Sequence, residues 1–253
     1  MFNEAAATGR YRGEVGGSVR CVYETVIYKG NAVADLFNGS LGDTLVTCIE
    51  ERLRQSPTSE ISILEVGAGT GGTTAAVLPK LEPFKQNIQE YCYSDLSKAF
   101  LFHAEEKFAP GRAFVRTAIF DVAQSIEGQN IEADKYDFVI ATNVLHATQN
   151  VRQTLRNVKA SLRKNGVILI NEICKKSLFA HLTFGLLDGW WLNDDDAVRI
   201  PGFPGLYPVG WKKVLEDEGF RSIMFPAGEG KELGQLIIMA ESDGIVRQSE
   251  NVR

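Results

Sequence analysis

The sequence predicts an α/β fold in which an open, doubly wound and mostly parallel sheet is covered by helices on both faces. Short apolar runs alternate with amphipathic helical stretches between residues 31 and 173, and this alternation is typical of a buried parallel sheet. One run, ILEV, leads directly into the glycine-rich turn GAGTGG, as expected where a strand passes into a helix. At 253 residues, 44% of them hydrophobic, the chain is long enough for one well-packed domain.

The elements are predicted in a regular order. A helix begins at Asn31, because apolar residues recur after it at four-residue spacing. Five strands are predicted in the runs ISILEV (61–66), IQEYCYSD (88–95), AFVRTAIFD (113–121), YDFVIATNVL (136–145) and GVILINEI (166–173). The intervening helices include one that ends near Pro79 and one that Thr148 or Asn150 caps and Asn165-Gly166 closes.

The stretch between residues 174 and 209 departs from this alternation. It is aromatic, then acidic, then rich in Gly and Pro, so we interpret it as an inserted lid, called the lid insertion below. A short helix (GWKKVLEDEGF) and two closing antiparallel strands (RSIMFPA and GQLIIMAE) follow, which brings the sheet to seven strands. The predicted organisation is an N-terminal linker with a helical cap (1–57), a core that contains the lid insertion (58–241) and a C-terminal linker (242–253).

Composition narrows the classes of partner and environment. A net charge of −5 argues against nucleic acid as the main partner, because binding its backbone requires an excess of Lys and Arg. The four cysteines form no CxxC pair, so neither a disulfide framework nor a zinc site is predicted, and a reducing cytoplasm is expected. The acidic run NDDDA lacks the spacing of a calcium loop, and no metal is predicted. No apolar run has the length of a membrane span, so no membrane partner is expected.

The glycine turn indicates a ligand. Gly67, Gly69 and Gly71 follow the first strand, where glycine allows a tight turn and lets a ligand approach the main chain. A dinucleotide fingerprint begins in the same way, and Gly72 leaves a GxGxxG frame readable. Glu65 favours a different ligand, because an anion so close would repel a pyrophosphate and attract a cation. A strand-to-helix turn without any ligand is the remaining alternative.

The combination ExGxGxG after the first strand resembles motif I of the S-adenosylmethionine-dependent methyltransferases. The resemblance implies their Rossmann-like class I fold and S-adenosyl-L-methionine as cofactor, bound by Glu65 and the turn glycines. It also implies that Asp95, at the end of the second strand, accepts hydrogen bonds from the ribose hydroxyls. Asp121, after the third strand, would meet the adenine amino group, with Phe120 stacking beside it. Asn143, at the end of the fourth strand, would flank the methionine part.

His146 and Glu172 follow two strands whose carboxyl ends are expected to meet at one edge of the sheet. A histidine takes up a proton near neutral pH, and an adjacent carboxylate orients its ring and stabilises the imidazolium. The pair therefore predicts a methyl acceptor that is deprotonated before attack, without deciding which atom is methylated. For His146 considered alone, a cap or core histidine bonded to backbone is the alternative.

Five longer stretches resemble one family of methyltransferases: VIYKGN, ILEVGAGTGGTT, NVLHATQNVRQTLRN, LLDGWWL and IPGFPGLYPVGWKKVLEDEGF. Together they resemble the C-methyltransferase domains of modular polyketide synthases, most of all the bacterial type with separate acyltransferases. The resemblance implies α-methylation of a β-ketoacyl thioester on an acyl carrier protein, with neighbouring synthase domains as further partners. It also implies that His146 and Glu172 form the catalytic dyad. Methylation of an oxygen or nitrogen acceptor, and an inactive structural domain, are the alternatives.

Aromatic residues are predicted to contact the substrate. Phe184, Trp190 and Trp191 in the lid insertion would wall the acyl chain, with packing beneath the insertion as the alternative. Tyr28 is predicted to close over cofactor or substrate. A basic stripe at helical spacing is a candidate surface for docking an acidic carrier protein, although solvated helix faces show the same pattern. The stripe consists of Arg152, Arg156, Lys159 and Arg163.

Overall fold

The computed structural model describes residues 31–186, 188–226 and 232–247. The strands of this part of the chain are β1 (Ile61–Val66), β2 (Ile88–Asp95), β3 (Val115–Ile119), β4 (Tyr136–Thr142), β5 (Leu162–Ile173), β6 (Phe220–Met224) and β7 (Gln235–Ser242). They form one seven-stranded sheet in the order β3-β2-β1-β4-β5-β7-β6. The first five strands pair in parallel, and β7 pairs antiparallel with both β5 and β6. The predicted fold class is confirmed.

The helices are α1 (Ala32–Gln55), α2 (Gly72–Leu81), α3 (Lys98–Lys107), α4 (Val151–Ser161), α5 (Leu178–Thr183) and α6 (Pro208–Asp217). A single 3₁₀ turn, Leu145–Ala147, follows β4, and three more lie in the lid insertion at Phe184–Leu186, Asp188–Trp191 and Asp196–Val198. Helix α1 begins where the sequence predicted, and Asn31 caps it, since its side chain accepts a hydrogen bond from the Val33 N–H at 2.9 Å. None of the helices in the described part of the chain is both sufficiently long and sufficiently apolar to cross a bilayer.

The predicted end of α2 near Pro79 and the cap of α4 at Asn150 are confirmed, whereas Thr148 as a cap and the closure of α4 by Asn165-Gly166 are wrong. Helix α2 continues past Pro79, because the hydrogen bond that proline forfeits lies on the exposed side of the helix, where water can reach the free carbonyl. Asn150 alone caps α4, by accepting from the Gln153 N–H at 3.1 Å. Thr148 instead donates to the Leu145 carbonyl at 2.8 Å. Helix α4 ends at Ser161, and the Asn165-Gly166 pair lies within β5.

Two hydrophobic clusters lie on opposite faces of the sheet. One joins the sheet to α1, α2 and α3 through residues such as Leu41, Val77 and Leu101. The other joins it to α4 and α6 through residues such as Leu155 and Trp211. Because both faces are covered, the open part of the sheet is its carboxyl edge, where functional side chains can meet a ligand.

The basic stripe of α4 is occupied by ion pairs within the chain. The pairs are Arg152–Asp217 at 2.7 Å, Arg156–Glu218 at 2.7 Å, Lys159–Asp243 at 2.5 Å and Arg163–Asp137 at 3.2 Å. The first three pairs join α4 to the C-terminal end of α6 and to the segment after β7, whereas Arg163 lies in β5 and joins that strand to β4. These ion pairs within the chain account for the pattern of basic residues. The pattern is therefore no longer an argument that the stripe docks a carrier protein.

Candidate active site

The glycine turn of residues 67–71 lies where the strand order reverses, between β1 and β4. Open α/β sheets hold their ligands in the crevice at this point. Gly67 and Gly71 have φ values of +59° and +77°, which side-chain-bearing residues rarely adopt. A Cβ added at Gly67 would collide with Val144, and one added at Gly71 would collide with the ring of Phe108. The space beside these two glycines is thus filled by the protein itself.

Asp95 holds the middle of the turn. Its Oδ2 accepts a hydrogen bond from the Gly69 N–H at 3.0 Å, and its Oδ1 accepts one from the Ser97 N–H at 2.8 Å. The Tyr93 hydroxyl donates to the Gly69 carbonyl from the same strand. Each carboxylate oxygen has a second lone pair, so Asp95 keeps acceptor capacity for the hydroxyl groups of a ligand.

Glu65 lies in the interior, against the first turn of α2. It is 1% exposed, and one of its oxygens accepts from the Thr74 hydroxyl at 2.6 Å and from the Tyr91 hydroxyl at 2.5 Å. Burial raises the pKa of Glu65 to about 7, although the hydrogen bonds from Thr74 and Tyr91 oppose the shift. These contacts make Glu65 a brace between β1, β2 and the helix that the turn starts.

Asp121 and Phe120 lie beyond the end of β3. Asp121 Oδ1 accepts a hydrogen bond from the Ala123 N–H at 3.0 Å. The Gln129 side chain binds the Asp121 backbone, since it accepts from its N–H at 2.7 Å and donates to its carbonyl at 3.0 Å. Phe120 is 2% exposed and belongs to the cluster that α4 and α6 cover. Stacking of its ring on an adenine would therefore require a movement of this side chain or of its neighbours.

Three buried polar atoms at the carboxyl edge have no hydrogen-bond partner among the described residues: Thr142 Oγ1, Asn143 Oδ1 and Asn171 Oδ1. Asn143 also has a φ of +51°, while its N–H donates to the Asn171 carbonyl at 2.8 Å. Unpaired buried polar atoms and a strained backbone are both costly, and both are concentrated at functional sites. The set indicates a ligand with hydrogen-bonding groups at the ends of β4 and β5.

His146 and Glu172 meet as predicted. His146 lies in the 3₁₀ turn after β4, and its Nδ1 is 2.7 Å from Glu172 Oε2. Glu172 Oε1 accepts from the backbone N–H groups of Leu145 and His146, at 2.8 and 3.2 Å, and Oε2 also accepts from the N–H of Ile173 at 3.1 Å. Both side chains are buried. With Nδ1 turned to the carboxylate, Nε2 is the ring atom available to accept a proton.

The lid insertion brings aromatic rings against this histidine. Trp190 is 6% exposed, its ring meets that of His146 edge-on with centroids 5.6 Å apart, and Phe184 stacks on it at 5.8 Å. Phe203 closes the same cluster. Trp191 is 53% exposed, and its indole N–H donates to the Gly185 carbonyl at 2.9 Å. Trp190 therefore lies next to His146 and Phe184 packs on Trp190, whereas Trp191 lies at the surface.

Tyr28, which the sequence predicts to close over cofactor or substrate, is outside the described residues.

Three residues of the site were missed in the sequence: Thr142, Asn171 and Arg199. The Arg199 guanidinium donates to the His146 carbonyl at 2.7 Å. Thr142 and Asn171 directly precede predicted site residues, and this adjacency was an available signal. A single arginine before a Pro- and Gly-rich stretch carries no comparable signal.

Comparison with known proteins shows similarity to one protein family and to a polyketide synthase. A family model described as a methyltransferase domain matches residues 64–168. The polyketide synthase PksR of Bacillus subtilis (strain 168) is 57% identical over 224 residues, which are 88% of this chain and 9% of that protein. The chain thus spans less than a tenth of this curated relative.

Two solved structures are similar over most of the chain. The DszA carbon methyltransferase is 38% identical with a TM-score of 0.78, and the match covers 87% of this chain and 57% of that one. The trans-methyltransferase CalH, whose structure is a complex with SAH, is 28% identical with a TM-score of 0.68, over 88% of this chain and 66% of that one. The fold is therefore that of class I methyltransferases.

Proposed function

The chain belongs to the methyltransferase domain family of polyketide synthases, and on this premise we propose that it methylates the α-carbon of a β-ketoacyl thioester carried on an acyl carrier protein. The observation that carries the proposal is the buried contact between His146 and Glu172 at the carboxyl edge of the sheet. A base of this kind suits a carbon acid that must lose a proton before it reacts.

S-adenosyl-L-methionine is the proposed methyl donor, and the complex of CalH with SAH supports this choice. The residues present fit such a ligand. Asp95 retains acceptor capacity for ribose hydroxyls, and the unpartnered oxygens of Asn143 and Asn171 suit the ammonium group of the methionine part. When bound, the cofactor supplies an electrophilic methyl group on a sulfonium.

Glu65 contributes to this site by position and charge. Its carboxylate braces α2 through Thr74 and does not reach the surface. A cation held above the turn would favour the ionised form of Glu65, whose pKa is raised to about 7 by burial. Glu65→Gln is therefore expected to weaken binding of cationic S-adenosylmethionine more than binding of S-adenosylhomocysteine. Titration calorimetry with both compounds measures the ratio, and an equal loss for both would contradict the electrostatic role.

His146 is proposed as the base. Its Nε2 takes the proton from the α-carbon, and the electron pair of that C–H bond becomes the enolate, delocalised onto the ketone and thioester oxygens. Its Nδ1–H continues to donate to Glu172, which stabilises the imidazolium that forms. Glu172 cannot rotate away, because backbone N–H groups hold both of its oxygens. The enolate carbon is then the nucleophile for the methyl group.

Aromatic side chains shape the proposed acceptor side. Trp190 lies against His146 and Phe184 packs on Trp190, and we propose that this aromatic cover excludes water from the dyad and so strengthens electrostatic interactions in the site. Trp190 Nε1 is buried without a partner among the described residues, so a substrate oxygen is a suitable acceptor for it. Trp191 is proposed to lie outside the reacting region, since its N–H is already paired and its ring is half exposed.

The test is an assay with S-adenosylmethionine and a series of β-ketoacyl carrier proteins, followed by mass analysis of the acyl group. The wild-type chain is expected to increase the mass of at least one acyl group by one CH2, because a methyl group replaces the α-hydrogen. Turnover on hydroxyl or amine acceptors alone would instead support an oxygen- or nitrogen-directed methyltransferase. Failure to bind either form of the cofactor would support an inactive structural domain.

Two variants test the dyad. His146→Ala removes the base and Glu172→Gln removes the charge that stabilises the imidazolium, so we expect losses in kcat of about 10²- to 10⁴-fold with cofactor affinity retained. The matched control is His103→Ala, because His103 is exposed on α3. Near wild-type turnover of His146→Ala would assign the base to another residue.

A further inference from the structure

We propose that Arg199 is the positioning residue that couples the lid insertion to the base His146. Arg199 lies in the lid insertion, and its side chain is 1% exposed. Its Nη1 donates to the His146 carbonyl at 2.7 Å and its Nη2 donates to the Thr148 carbonyl at 2.9 Å. A buried guanidinium therefore holds the backbone of the segment that carries the base. This proposal rests on the role of His146 given above.

Two further contacts fix the guanidinium within the lid insertion. Its Nη1 also donates to the Pro204 carbonyl at 2.7 Å, and its Nε donates to Asp195 Oδ1 at 2.6 Å. Asp195 compensates the buried charge, and its other oxygen accepts from the N–H of Val151, the first residue of α4, at 2.7 Å. The Arg199–Asp195 pair thus ties both ends of residues 146–151 to the lid insertion.

The lid insertion is itself fitted to the sheet at this point. A Cβ added at Gly205 would come within 2.7 Å of the Ile173 carbonyl, so the turn after Arg199 packs directly on the end of β5. Glu172, at that end of β5, holds the N–H of His146 at 3.2 Å. His146 is consequently held through its N–H from the sheet and through its carbonyl from the lid insertion.

The arrangement requires arginine. Three carbonyl oxygens and one carboxylate oxygen surround the guanidinium, and its planar fan of five N–H donors meets all four. A lysine ammonium has three donors on one nitrogen, so it cannot bind the three carbonyl oxygens and the Asp195 carboxylate at the same time. Arg199 donates to backbone and to Asp195, so it acts on the reaction through His146.

The test compares Arg199→Lys with Arg221→Lys. Arg221 is a matched control because it also binds a carboxylate, Glu241, at 2.7 Å, but at the exposed side of β6. Binding of S-adenosylhomocysteine, measured by calorimetry, counts the correctly folded sites in each variant. We expect Arg199→Lys to lower kcat per site at least about tenfold, because small displacements of a catalytic group are costly, with KM changed less than kcat. Arg221→Lys is expected to retain the wild-type kcat.

A spectroscopic readout makes the test independent of turnover. The chain has three histidines, so NMR with histidine-labelled protein resolves the His146 ring, which His146→Ala assigns. We expect Arg199→Lys to shift or broaden the His146 signals and to leave those of His103 in place. Added guanidinium should restore part of kcat to Arg199→Ala and none to His146→Ala.

Unchanged His146 signals, or an unchanged kcat per folded site, in Arg199→Lys would overturn the proposal. A variant that only loses folded sites, with normal kcat in the remainder, would also overturn it and leave Arg199 a purely structural role. If the wild-type chain methylates no β-ketoacyl carrier while the His146 signals still move in Arg199→Lys, the proposed function fails and the positioning of His146 by Arg199 stands.

Discussion

Replacement of Glu65 by Gln is expected to remove a pH dependence of stability. Burial raises the pKa of Glu65 from 4.5 to about 7, so the folded protein keeps a proton that the unfolded chain has released. Because the folded pKa is the higher one, the associated stability is fully present below about pH 4.5 and is lost as the pH rises to about 7. A shift of about 2.5 pH units at about 1.4 kcal/mol per unit corresponds to about 3–4 kcal/mol of unfolding free energy.

Glutamine retains the geometry but does not titrate. The hydroxyls of Thr74 and Tyr91 both donate to the same Glu65 oxygen, so one amide carbonyl can accept from both. The backbone N–H of Thr74 also donates to this carboxylate, so the variant can differ from the wild type in hydrogen bonding as well as in titration. The measured quantity is therefore the change with pH in the stability difference between the two proteins.

Urea unfolding of both proteins between about pH 4.5 and 8 measures this difference. We expect it to move by about 3 kcal/mol in favour of Glu65→Gln as the pH rises. Glu51→Gln is the control that should show almost no change with pH over this range, because a hydrogen bond from Arg54 lowers the pKa of the exposed Glu51 carboxyl below its ordinary value of 4.5. Stability curves of wild type and Glu65→Gln that run parallel over this range would refute the reasoning.

Three further predictions concern packing and buried charge. Gly71→Ala is expected to destabilise the fold by about 2–4 kcal/mol, because the added Cβ collides with the Phe108 ring and the residue has a positive φ. In thermal unfolding, the double variant with Phe108→Leu should regain part of that lost stability. Lys159→Met, which leaves a carboxylate without its buried partner, is expected to cost about 2–3 kcal/mol in urea unfolding, and a stability equal to wild type would show that the pair contributes nothing. Trp190→Ala should cost about 3–5 kcal/mol and the half-exposed Trp191→Ala much less, so equal losses would contradict the packing described for the two rings.

Much of the fold was predictable because its signals are local. A strand buried on both faces reads as a short apolar run, and each run between residues 61 and 173 corresponds to a strand of the sheet. The helix boundaries were less predictable. Asn165-Gly166 was expected to close α4, but the chain already pairs with β4 at Leu162, and only the assembled sheet decides where that pairing begins.

The site was predictable in part for the same reason. Residues that follow parallel strands meet at one edge, and this rule brought together His146 and Glu172 from two separate strands. It also located the glycine turn and Asn143. The rule did not predict Arg199. The guanidinium of Arg199 binds backbone carbonyls of a distant segment, and every residue has such a carbonyl, so these contacts cannot be recognised from sequence spacing.

The sequence by itself therefore determined the fold class, the position of the glycine turn and the pairing of a histidine with a glutamate. These features depend on periodicity and on which residues end the strands. Only the tertiary structure decided that Val144 and Phe108 fill the space beside two of the turn glycines. It also decided that Glu65 is an interior brace, and that the lid insertion holds the backbone of the base. The physical reason is that burial and hydrogen-bond partners are set by contacts between residues far apart in the chain, which no local pattern records.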